Sequence, residues 1–183
     1  MAAGRDPNTI SIGAGTLYYA AIGTAEPATL TGAWVSGWVD LGYTEKGTTF
    51  TRGVTATDVD VAEEFYAVAK TITAYTGTVD FALSQLTAKN LQVCFNGGTV
   101  TTSAVDVYFD PPAAGTEAYA MLGWQSTSAD ERYIWRKVLQ TGATATSRQK
   151  VLPQALLPVS FNIVKPTGLQ PWRWMGAVAR TGV

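Results

Sequence analysis

Most of this chain reads as short runs in which apolar and polar residues alternate, rich in Thr, Val and aromatics and cut by Gly, Pro, Asn and Asp. Extended segments patterned this way must bury one face against another layer. That predicts a mainly β fold: a single antiparallel β-sandwich or barrel-forming sheet. The first predicted strand is Gly15–Ile22, closed by Gly23. Gly37–Tyr43 follows, with Val39, Leu41 and Tyr43 expected on one side. Residues 44–53 are rich in Thr and thin in apolar side chains, which predicts a hairpin or long loop leaving the body. Val59 and Val61 alternate with Asp58 and Asp60 and are expected to point inward. Residues 70–83 predict one long strand, or two meeting near Gly77, with Val79, Phe81 and Leu83 on one face and Asp80 and Ala82 on the other. Later strands are expected over residues 105–109, 118–124, 133–139, 156–164 and 171–175. The segment 118–124 is nearly all apolar, so both of its faces should be covered. Pro158 places its strand near an edge or at its own start.

One stretch changes period. Residues 87–96 predict a flanking α-helix, with Thr87 as N-cap, Leu86 and Leu91 as a hydrophobic staple, and Gly97 as the left-handed stop. Leu91, Cys94 and Phe95 would form its buried stripe, and Cys94 reads as an inert core residue. No linker or internal repeat divides the chain, so residues 1–183 read as one domain.

Composition narrows the function. The chain has no His and one Cys, which leaves no His–Cys set for zinc, no histidine base for a nucleophile and no internal disulfide. No catalytic set, cofactor motif or metal cluster is apparent. Gly13-Ala14-Gly15 lacks the rest of a dinucleotide fingerprint, and Gly97-Gly98 ends a helix rather than opening one. The Asp58/Asp60 and Glu63/Glu64 pairs read as solvated charges. The beginning has no apolar core of a signal peptide, and no run is long enough to span a membrane.

Charge is low, with 13 Lys and Arg against 14 Asp and Glu. Its distribution is uneven: residues 1–131 carry 14 acidic and 5 basic side chains, and residues 132–183 carry 8 basic and none acidic. Either the two blocks interleave in one sandwich, or they form opposed faces that draw copies together in a fixed direction. With no basic surplus, strong phosphate binding is not expected. Arg132, Arg136 and Ile134 should share one strand face, and Tyr133, Trp135 and Lys137 the other, which fits core plus surface better than a base-stacking platform.

The run Gly37-Trp38-Val39-Asp40-Leu41-Gly42-Tyr43-Thr44-Glu45-Lys46-Gly47 is followed by Asp58-Val59-Asp60-Val61 and Thr78-Val79-Asp80-Phe81-Ala82-Leu83. Leu86-Thr87-Ala88-Lys89-Asn90-Leu91, Asn96-Gly97-Gly98 and Leu156-Leu157-Pro158-Val159-Ser160-Phe161-Asn162-Ile163 complete the order. Across residues 15–165 this resembles the major tail tube proteins of long-tailed, siphovirus-type bacteriophages. The resemblance implies subunits that assemble six to a ring, with rings stacked into a tube for DNA delivery. It implies a tape-measure protein and tail-tip and terminator proteins as partners, DNA passing without sequence-specific binding, and no cofactor or membrane. The place is the virion tail, assembled in the bacterial host cytoplasm. It also implies an N-terminal arm over residues 1–12, an extended inter-ring loop over 43–65 and a C-terminal segment over 166–183.

On that basis Glu45, Asp58, Asp60, Glu63 or Glu64 of one subunit is expected to meet Arg132, Arg136, Lys137 or Arg148 of another. Lys46, Phe50 and Arg52 lie in the loop and join the expected inter-subunit set, as do Trp172 and Trp174 as aromatic anchors. Asp80 and Asp106 are the expected lumen carboxylates, because a lumen that repels phosphate keeps DNA from sticking. The competing expectations are a carbohydrate-binding or adhesin sandwich with Trp34, Trp38 or Trp172 as sugar platform, and another virion protein such as a head decoration or tail terminator subunit.

Overall fold

The segment 131–140 carries large apolar residues on both faces and is almost wholly buried, so it needs a layer above, a layer below and a partner at each edge. The computed structural model, which describes residues 13–146 and 155–177, supplies all four. Among the described residues the elements run β1 (Gly15–Ala21), β2 (Val39–Asp40), β3 (Thr44–Val59), β4 (Ala69–Leu83), α1 (Ala88–Cys94), β5 (Thr99–Thr102), β6 (Val107–Asp110), β7 (Ala120–Ser126), β8 (Glu131–Gln140), β9 (Leu157–Ile163) and β10 (Trp172–Gly176). The main sheet has the order β2-β1-β7-β8-β9-β4-β3, with β10 also on β8. Its pairings are antiparallel, as is the small β5–β6 ribbon. The fold class expected from alternation is the one observed.

β7 lies along one edge of β8. The other edge is shared: β10 pairs with Glu131–Trp135 and β9 with Val138–Gln140. The sheet curls so that β3 comes back over β8 and β10, where the ring of Phe50 lies 5.7 Å from Trp135 and 5.5 Å from Trp172. The main core fills this curl with Leu17, Val79, Phe81, Leu122, Trp135, Val138, Val159 and Phe161. A smaller core on the other face gathers Ala20, Met121 and Ile134 under Trp34, Trp38 and Met175. Residues 120–124 are therefore covered on both faces as expected, Leu122 by the first core and Met121 by the second, while Ala118 and Tyr119 precede the strand and are exposed. Gly123 lets the Trp34 ring lie flat on the sheet, since a Cβ there would sit 2.3 Å from that ring. Pro158 stands where β9 pairs only with β4, before β8 joins at Phe161, so its missing N–H costs no ladder bond.

Three expectations change. Val39, Leu41 and Tyr43 do not share a face: the strand stops at Asp40, and Gly42 at φ +78° turns the chain, so Leu41 is buried while Tyr43 points to solvent. Val59 and Val61 are exposed, because β3 has left the body before it reaches them. Helix α1 is capped by Thr87 as expected, its hydroxyl accepting from Asn90 N–H at 3.1 Å. Its buried residues, however, are Asn90, Val93 and Cys94, and both Phe95 and the staple residue Leu86 are largely exposed. The reason is Asn90, whose amide donates to the carbonyls of Gln85 and Leu41 and rotates the short helix toward them.

Asn96 takes the left-handed conformation (φ +54°) expected of Gly97 and stays buried. Its side chain acts as a substitute strand: its amide donates to Gln140 O at 2.7 Å, and its carbonyl accepts from Gln140 N–H at 2.8 Å. Asn96→Ala leaves both backbone groups unpaired and adds left-handed strain, at a cost of about 3 kcal/mol. Urea denaturation is expected to show the midpoint falling with an unchanged slope. Asn96→Gly, which relieves the strain alone, should recover only a minor part.

Candidate functional site

The most prominent feature is a hairpin that leaves the body. β3 and β4 pair from Thr44↔Leu83 out to Val59↔Ala69, and their outer halves are solvent-exposed. β-branched residues at about half of its positions favour the extended ribbon without needing a core. The expected projection of residues 43–65 is thus half of a larger unit. Residues 69–77, read from sequence as body strand, form the other half. At the tip, Val68 N–H donates to Val59 O at 3.0 Å, and Glu63, Glu64, Phe65 and Tyr66 stand in solvent. Asp58 pairs across the ribbon with Lys70 at 2.6 Å, an exposed bridge contributing about 0 to 1 kcal/mol. The ribbon's backbone ladder, not this ion pair, holds it together.

Cross-strand register gives the ribbon two unlike faces. Arg52, Val54, Ala56 and Asp58 share one face with Tyr75, Ile72 and Lys70, as the Arg52 guanidinium over the Tyr75 ring confirms. Thr51, Gly53, Thr55 and Thr57 share the other with Thr78, Thr76, Ala74 and Thr71. The Thr face continues onto the body through Asp80, Ser160 and Asn162. There Asp80 accepts from the hydroxyls of Ser160 and Thr78. Asp80 borders an open cleft of about 400 Å³ that Glu45, Lys46 and Thr49 also line. Asp106 is elsewhere, at the exposed turn of the β5–β6 ribbon, accepting from Tyr108 OH at 3.3 Å. The two expected lumen carboxylates are not brought together.

The basic block is placed differently from expectation. Arg132 and Arg136 project from β8 on the Ile134 face and are buried. Arg132 donates to Thr29 O, Gly32 O and Gln125 Oε1 at 2.7–2.9 Å and lies over the Trp34 ring. Arg136 forks onto both oxygens of Glu26 and donates to Gln170 O. Arg173 adds a second cation to Glu26 at 3.2 Å. These contacts bind the irregular segment 24–38 to the sheet, so Arg132 and Arg136 act within the subunit rather than toward another. The acidic and basic blocks interleave at Glu26. Lys137 sits over the Tyr119 ring, and Arg148 lies outside the described residues, as do residues 1–12.

Phe50 and Trp172 are likewise internal, joined with Tyr133 and Trp135 in one aromatic cluster. The expected C-terminal segment contributes β10 to the subunit's own sheet. Trp174 remains partly exposed, its indole donating to Glu131 Oε1 at 2.9 Å. Trp34 stacks on Tyr18 at 4.2 Å and Trp38 tilts against Trp34, so neither presents a free platform. Glu26 and Gln125 are the polar residues the sequence did not single out. Glu26 meets Arg136, 110 residues on, and Gln125 joins Arg132 to Trp34, 91 residues before it, so no local spacing marks either role.

One family model, described as phage tail tube protein, matches residues 2–180. No curated protein matches the chain.

The Arg136 hydrogen bonds hold the Glu26 carboxyl below the usual carboxylate range, against an opposing push from burial and with help from the charges of Arg136 and Arg173. A depressed folded-state pKa contributes stability above the ordinary carboxylate pKa, and that contribution is lost as pH falls through the folded value. Glu26→Gln removes it and leaves Arg136 without its anion, at a cost of about 2 to 3 kcal/mol near neutral pH. Thermal melts from about pH 7 to about pH 3 are expected to show a lower Tm for the variant at neutral pH and a shallower fall on the acid side.

Proposed function

The chain belongs to the phage tail tube protein family, and from that premise we propose that its subunits close into hexameric rings and stack into the hollow tube through which phage DNA is delivered. It is a structural protein of the virion tail, and self-assembly into a tube is what its surface is for. The observation that carries the finer proposal is β3. Among the described residues this 16-residue strand ends the sheet with no partner on its outer edge, and half of it stands clear of the body. A long bare edge invites pairing with another chain, and closing edges around a ring removes them. Ring closure and stacking are both head-to-tail contacts, so opposite sides of the subunit must be complementary.

The hairpin tip, with Glu63, Glu64, Phe65 and Tyr66, reaches the neighbouring ring. Of the inter-subunit residues expected from sequence, Glu45, Lys46, Arg52, Lys137 and Trp174 remain at the surface or partly so and fit this role. The Asp80 face suits the channel, since among the described residues it carries hydroxyls and a carboxylate, with Lys46 as the cation lining its cleft. A tape-measure protein inside the growing tube, tail-tip and terminator proteins at its ends, and assembly in the host cytoplasm complete the proposal.

Negative-stain microscopy of the purified chain is expected to show rings or long tubes. Replacing residues 60–68 with a tight glycine turn is expected to leave rings but abolish long tubes. Monomers under all conditions would overturn the proposal. Glu63→Gln with Glu64→Gln is expected to weaken the salt dependence of tube assembly, because paired charges at a surface are screened within about 10 Å at 0.1 M salt.

A further inference from the structure

The two faces of the projecting hairpin differ more than a solvated ribbon requires. Val54, Ile72 and Tyr75 are 50–60% exposed and lie on the same face. That face is continuous with the interior: Phe50 and Val79, nearer the base, belong to the subunit's main core or pack on it. The opposite face over the same length carries mostly Thr, Ala and Gly. A register shift between Thr55 and Ala56 keeps the division in phase, since it brings Ile72 rather than Thr73 opposite Ala56 and so onto the apolar side.

We propose that the Val54–Ile72–Tyr75 face is buried against a second copy of this chain in the tube, while the threonine face stays in contact with water. The proposal rests on the tube assembly above and adds its orientation. Charge favours a second copy as the occupant. Asp58 and Lys70 on this face already neutralise each other, so they can be covered together. Arg52 makes no ion pair with a carboxylate among the described residues and rests only on Tyr75. The chain itself offers a surplus of carboxylates over residues 1–131, with Glu45, Glu63 and Glu64 exposed. A core face that runs out of its own subunit, with one cation waiting at its base, matches a neighbouring copy that exposes Glu45, Glu63 and Glu64.

Single cysteines introduced by Val54→Cys, Ile72→Cys and Thr57→Cys report the orientation in tubes of the purified chain. The native Cys94 gives little background, being buried with its thiol pushed up to about 12. A small maleimide is expected to react with all three in free subunits. In tubes, Val54→Cys and Ile72→Cys should slow by on the order of tenfold or more while Thr57→Cys holds within about threefold. Unchanged reactivity at 54 and 72, or protection at 57 instead, overturns the orientation. So does protection that appears only when another virion protein is added. Val54→Asp guards against variants that fail to fold: an unchanged monomer Tm with loss of tubes supports the proposal, and normal tubes overturn it. If the unsubstituted chain forms no tubes at all, the tube assembly itself fails, and this orientation with it.

Discussion

Everything in the subunit is arranged around the need of β8 to be covered on both faces and paired on both edges. Trp135 and Val138 on one face require the curl of β9, β4 and β3; Ile134 on the other requires a second layer. That second layer has almost no regular structure, so it cannot hold itself by a ladder. Arg132 and Arg136 do the holding, because a guanidinium can satisfy several irregular carbonyls and a carboxylate at once. Burying two cations is costly unless they are well bonded, and here Glu26, Gln125, the Trp34 ring and three main-chain carbonyls share the task, leaving Arg132 Nε as the one guanidinium nitrogen of Arg132 with no partner among the described residues. The core sequence thus dictates the charge placement.

Much of this was legible along the chain, and the limits were physical. Alternation located β7 and β8 and assigned Tyr133 and Trp135 to the opposite face from Arg132 and Arg136, because period two is a local property of the backbone. It could not say what covers a face. Val59 and Val61 alternate as a buried strand does, yet nothing reaches them, since their coverage depends on where the ribbon points. The basic block failed in the other direction. Arginines usually stay at the surface, and the atoms that draw Arg132 inside come from Thr29 and Gly32, about a hundred residues earlier. Asn96 was read as the residue before a glycine stop, because a side chain substituting for a strand leaves no trace in spacing. At the hairpin, scarcity of apolar residues over 44–53 signalled a departure from the body, which in the structure comes beyond Phe50, whose ring still packs on the core. The returning strand was hidden by its ordinary β pattern.

The same comparison separates residues that fold the subunit from residues left for assembly. Phe50, Arg132, Arg136 and Trp172 have their contact needs met internally. Glu63, Glu64, Phe65, Tyr66 and the Val54–Ile72–Tyr75 stripe do not. A protein that had to remain alone would blunt such a ribbon with lysines or prolines along its edge. The ribbon instead keeps its large apolar side chains on one face, with an Asp58–Lys70 pair beside them, and mostly threonines on the other, with a bulge that preserves the separation. Division of that kind confers nothing on an isolated monomer, whose ribbon is wetted on both sides. It becomes consequential only when one side is covered, and a tube wall built from copies of one chain supplies that asymmetry.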